Sequence, residues 1–67
     1  MAPMAIWIVE FWRRSLDGRE YCSNRIFETE FKARKYLRLS GYRILGDEEF
    51  VYHKDSMRAI LTERTVE

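Results

Sequence analysis

MAIWIVEFWRRSLDGREYCSNRIF, residues 4–27, decides the fold. Two runs rich in Ile, Val, Trp, Phe and Tyr flank Leu16-Asp17-Gly18-Arg19, and side chains of this kind favour extended, half-buried backbone. Asp-Gly suits the positive backbone angles of a type I′ turn, so the stretch predicts a β-hairpin with Asp17 and Gly18 at its tip. That turn sets Arg14 opposite Tyr21, Trp12 opposite Ser23, Glu10 opposite Arg25 and Ile8 opposite Phe27. The register pairs apolar with apolar and acid with base, as cross-strand neighbours prefer. Along the first strand Trp7, Val9 and Phe11 point one way and Ile6, Ile8 and Trp12 the other, so both faces are apolar.

Downstream, Thr29 has the character of a helix N-cap, Glu30 suits the first turn, and Gly41 follows the last periodic residue as a C′ glycine. The helix therefore spans about residues 30–40 and buries Ala33, Tyr36, Leu37 and Ser40, with Phe31, Arg34, Lys35 and Arg38 on its other side. Three short strands follow, Tyr42 to Leu45, Phe50 to Lys54 and Met57 to Val66, with turns at Gly46-Asp47 and Asp55-Ser56. In the last, Met57, Ala59 and Leu61 share one face and Arg58, Ile60 and Thr62 the other. The expected fold is a single α+β domain over residues 1–67, in the order β-β-α-β-β-β. A small antiparallel sheet has one helix packed on one face. One helix cannot cover both sides of the opening hairpin, and two Trp carry much area. The surplus face is a candidate binding or dimerisation surface, with Trp7 and Trp12 as its large anchors.

With 67 residues, only about 60% of the unfolded chain's surface can be buried, so the stability margin is thin. The single cysteine, Cys22, excludes an intrachain disulfide, and with the single histidine, His53, leaves no basis for a metal site. No cofactor is expected. Self-association remains a way to bury more surface, most simply as a symmetric homodimer. The hydrophobic fraction of 46% and charged fraction of 34% describe a folded chain. The longest apolar run, Met4 to Val9, is too short to span a bilayer, so no membrane association is expected and the expected location is the cytoplasm. Residues 1–3 read as an appended or disordered start, because Met4 can equally serve as the initiator.

Catalysis finds little support. No nucleophile motif surrounds Ser15, Ser23, Ser40, Ser56 or Cys22, His53 reads as an ordinary strand residue, and each glycine has a turn or cap role. Asp47, Glu48 and Glu49 form a solvated acidic tip, useful for docking a basic partner rather than for acid–base work, which needs a cleft. Between Lys32 and Arg43 lie Lys32, Arg34, Lys35, Arg38 and Arg43 with no acid among them. This stripe is either a solvated face, a protein-binding surface or a phosphate-contacting one, although a net charge of +1 is far from a strongly basic domain. Phe31, on the charged side, is expected to tuck under the hairpin, the alternative being an exposed anchor among the basic residues.

The Trp/Ile-rich hairpin (AIWIVEFW … DGREY), the short capped helix (TEFKARKYLRLSG) and the tail of short strands (YRILGDEEFVYHKDSMRAILTE) together resemble small accessory proteins of bacteriophages, of the anti-CRISPR and anti-defence type. The resemblance implies a non-catalytic inhibitor that binds and blocks a host defence protein in the host cytosol. No family site residue transfers with it. The partner-contact residues expected from the chain itself are Phe31, Arg34, Lys35, Arg38, Trp7 and Trp12. The alternative is a small module that binds nucleic acid or a nucleotide ligand with its basic helix and aromatic side chains.

Overall fold

In a computed structural model the described residues, 4–66, form one helix and one five-stranded antiparallel sheet, the α+β class expected. The reading of residues 1–3 as an appended start lies outside the described residues. Strands β1 (Met4–Arg14) and β2 (Glu20–Phe27) form the hairpin, followed by α1 (Glu30–Leu39), β3 (Arg43–Ile44), β4 (Val51–Lys54) and β5 (Met57–Val66). In space the order is β2-β1-β5-β4-β3, so the last strand lies at the centre beside the first.

The hairpin departs from the expected register by one residue. Trp12 faces Cys22, Glu10 faces Asn24 and Ile8 faces Ile26, while Trp7 faces Phe27. The tip explains it. A type I′ turn needs positive φ at both central residues, and of Asp17 and Gly18 only Gly18 has it, at 86°. The loop instead holds three residues, Leu16 to Gly18, closed by Ser15 and Arg19. The Ser15 amide donates to the Arg19 carbonyl at 2.8 Å and the Gly18 amide to the Ser15 carbonyl at 3.1 Å. This is a type I turn followed by a left-handed glycine, the other common hairpin closure. Asp17 fastens it by accepting hydrogen bonds from the Ser15 hydroxyl and the Arg19 amide. Those bonds, the Ser15 hydroxyl first, hold the Asp17 carboxyl below its ordinary range.

The helix ends follow from their side chains. The Thr29 hydroxyl accepts the Lys32 amide at 3.1 Å from an extended backbone (φ −136°), as an N-cap does. At the other end Gly41 takes φ 92°, its amide reaches the Arg38 carbonyl, and the Tyr42 amide reaches the Leu37 carbonyl. This pair of bonds is a Schellman motif. Its accompanying apolar contact joins Leu37 and Tyr42 in the core.

Ala33 and Leu37 press on the side of the sheet that carries Val9, Ala59, Leu61 and Tyr52, and Trp7, Phe11, Phe27 and Met57 pack around this cluster. Leu37 and Val9 are the largest fully buried side chains. The edge of Tyr36 meets Phe11 with ring centroids 6.2 Å apart, and its ring is tilted against Phe27 at 5.4 Å, both favourable aromatic geometries. Every fully buried residue of the sheet lies on this one side.

Candidate binding surfaces

Strand alternation places Ile6, Ile8, Glu10 and Trp12 of β1 on the side away from the helix. Their lateral neighbours there are Ile26, Asn24 and Cys22 of β2, then Arg64, Thr62, Ile60 and Arg58 of β5. Val51 and His53 of β4 extend the surface opposite Ile60 and Arg58, and Arg43 of β3 stands opposite His53. No second layer lies over this face among the described residues. Ile26 is 63% exposed, and Ile6, Ile8, Val51 and Ile60 are half-buried by in-plane neighbours alone. The result is an apolar strip with Glu10 near its centre, Arg43 and Arg58 toward one end of the strands and Arg64 toward the other.

Trp12 belongs to this face, and its indole N–H is shielded from water yet meets no acceptor. An orphaned buried donor costs on the order of 1–3 kcal/mol. Trp7, grouped with Trp12 as an anchor by composition, packs against the core on the helix side and does not share its surface.

The outer side of α1 is a second surface. Phe31 is 69% exposed, which overturns the expectation that it tucks under the hairpin. Its position explains this, for at 3.6 residues per turn it lies opposite Ala33 and Leu37 and points away from the sheet. Leu39, two turns on, is 79% exposed, and Lys35 and Arg38 between them form no ion pair among the described residues.

Arg34 does not belong with them. Its guanidinium donates to the Glu49 carbonyl at 3.0 Å, the Tyr52 hydroxyl at 2.9 Å and the Glu30 carboxylate at 3.2 Å, and lies 5.3 Å from the Phe50 ring. Burial works against its charge, but the bonds to Tyr52 and Glu30 more than offset this and hold its pKa above the ordinary value. Arg34 thereby ties the helix to the loop before β4. Lys32 is likewise paired, with Glu28 at 3.1 Å. The expected continuous basic stripe is thus reduced to Lys35 and Arg38.

Asp47, Glu48 and Glu49 are exposed in the loop between β3 and β4, as a solvated tip should be, and their carboxylates form no ion pair among the described residues. Trp7 lies on the helix side of the sheet and Trp12 on the other, so no single surface gathers all the residues singled out in the sequence. His53 sits between Arg43 and Arg58 in register. Cys22 is exposed on the edge strand β2. No group of three or more His, Cys, Asp or Glu side chains able to hold a metal occurs among the described residues. No helix is long and apolar enough to cross a membrane.

Sequence reasoning missed the contributions of Ile26, Val51 and Arg43 to the uncovered face, because these depend on which strands are neighbours in space. Ile6, Ile8 and Trp12 were recoverable from alternation alone. The chain matches no protein-family model, no curated protein and no solved structure.

Proposed function

We propose that this chain is a non-catalytic interaction protein of the inhibitor type, which occupies a partner protein with the uncovered face of its sheet. The observation that supports the reading is the apolar strip of Ile6, Ile8, Ile26, Val51 and Ile60, which no part of the described chain covers. Contiguous apolar surface of this kind marks interaction sites.

The charges describe the partner. Arg43, Arg58 and Arg64 flank the strip, with Glu10 as the acidic group near its centre. The fitting surface is an apolar ridge with carboxylates along its margin, on a host protein in the inhibitor reading. Two copies of this chain brought face to face with their strands aligned would set the arginine-bearing ends of one against those of the other, which disfavours a homodimer as occupant.

Ile60→Lys tests the reading. Ile60 faces Glu10 directly, so a lysine there gains a cross-strand acid and the fold is preserved. Affinity capture should retain a partner with the wild-type chain and with Lys35→Glu/Arg38→Glu, and lose it with Ile60→Lys. Light scattering on a sizing column runs alongside. A concentration-independent dimer that Ile60→Lys dissociates would mean that a second copy, not a host protein, covers the face.

A further inference from the structure

The helix side of the sheet is not filled along its whole length. Past the C-terminal end of α1, the outer part of the hairpin and the β4–β5 turn border a cleft of about 940 Å³. Phe11, Tyr36 and Tyr42 supply aromatic walls and Arg13, Arg25 and Lys54 supply charge, while no Asp or Glu lines it. None of these three cations forms an ion pair or donates a side-chain hydrogen bond among the described residues, unlike Arg14, Lys32 and Arg34. Gathering like charges without carboxylate partners in one concavity is repulsive. In a chain of net charge +1 it amounts to a local field that attracts anions.

The aromatic rings also hold the cations in place. The Arg25 guanidinium lies 4.4 Å from the Tyr36 ring centroid and the Lys54 ammonium 5.7 Å from that of Tyr42, within cation–π range. The Lys54 stem runs past Gly41, where a Cβ would come within 3.4 Å of it. Tyr42 itself is buried, and that burial raises its phenol above the ordinary pKa.

We propose that this cleft is a nucleotide-binding site, taking a planar base against Tyr21, which lines it opposite Arg13 and is 49% exposed, and phosphate oxygens against Arg13, Arg25 and Lys54. Guanidinium forks and ammonium groups are the usual phosphate partners, and aromatic faces stack any base. The volume falls in the ~300–1,000 Å³ range of small-molecule sites. A single-stranded polymer would need a long basic track. Lys32 and Arg34 on the neighbouring helix are already neutralised by Glu28 and Glu30, which favours the small ligand. The site is separate from the uncovered sheet face and stands or falls without it.

Calorimetric titration of the full chain tests the proposal, with ATP, GTP, adenosine, sodium tripolyphosphate and an oligothymidylate of about fifteen nucleotides as probes. ATP or GTP should saturate the site, with adenosine and tripolyphosphate each at least about tenfold weaker. Arg13→Gln/Lys54→Met should weaken the nucleotide by at least about tenfold. Lys54→Met keeps the methylene packing over Tyr42, and the two single variants serve if the double variant is misfolded by circular dichroism. Ile60→Lys, on the opposite face, should leave affinity unchanged. Absence of saturable ATP or GTP binding up to about 1 mM overturns the site. Equal affinity for tripolyphosphate reduces it to an anion patch, and tighter binding of the oligonucleotide makes it a polymer groove.

Discussion

On the helix side of the sheet Val9, Ala59 and Leu61 are sealed beneath Ala33 and Leu37, whereas on the other side Ile8, Ile60 and Val51, side chains of similar size, stay half-open to water. The two faces alternate along the same strands and differ little in apolar content. What separates them is the number of layers, since one helix of ten residues can cover one side only. An apolar strand residue in so small a domain is therefore either core or contact surface, and its neighbours across space decide which.

The largest expected effect sharpens that contrast. Leu37→Ala empties the centre of the sealed side and should cost about 2–5 kcal/mol in urea unfolding, most of the margin of a domain this size. Ile8→Ala, a comparable truncation on the open side, should cost about 1 kcal/mol or less, because its side chain is only half removed from water. Equal losses for the two would mean that the open side is covered in solution.

Next comes the helix itself, where two arginines four residues apart should diverge. Arg34→Glu breaks the bonds to Glu49 and Tyr52 and sets a carboxylate beside Glu30, so it should lower stability by about 1–3 kcal/mol. Arg38→Glu should stay within about 0.5 kcal/mol apart from a small loss of favourable charge at the helix end. Thermal melts followed by circular dichroism distinguish them.

Trp12→Phe is a smaller test of the open face. It sheds ring area but also removes the orphaned indole donor, so the net change should lie within about 1 kcal/mol. A loss of more than about 3 kcal/mol, in the range for emptying a core site, would place the ring in the core after all.

The smallest effect concerns the hairpin tip, which assigns β2 side chains to faces. Asp17 has a folded pKa held below the ordinary 3.8, so its carboxylate contributes stability above the unfolded value. That contribution fades as pH falls through the lower, folded value. The stability gap between the wild type and Asp17→Asn should therefore be present at neutral pH and close in strong acid. A gap that persists there would assign Asp17's role to packing.

Much of the fold could be read from single residues. Thr29 and Gly41 mark the helix ends through their own hydrogen-bonding and backbone freedom, and alternation separates Val9 from Ile8 and Leu61 from Ile60. The register could not, because Asp-Gly serves both a two-residue and a three-residue loop, and Ser15 and Arg19 settle the choice by closing the longer one. Phe31 misleads because aromatic character suggests burial while its helical phase dictates exposure. Arg34 looks like its basic neighbours until the loop at Glu49 comes within reach. The cleft had no local signal at all, since Arg13, Arg25, Tyr36 and Lys54 come from four different elements.

The third residue of the loop at the hairpin tip acts as a sorting device. With it present, Phe27, Arg25 and Ser23 turn toward the helix while Ile26, Asn24 and Cys22 turn outward. Close the tip as a two-residue Asp17-Gly18 turn instead, or keep the loop and delete one residue at the start of β2, and the two sets would exchange faces without altering any of the six. In a strand at the edge of a sheet, an insertion or deletion of a single codon is thus equivalent to rewriting a whole surface. A lineage carrying this hairpin could exchange one set of contacts for the other in one mutational event that no alignment of substitutions would register.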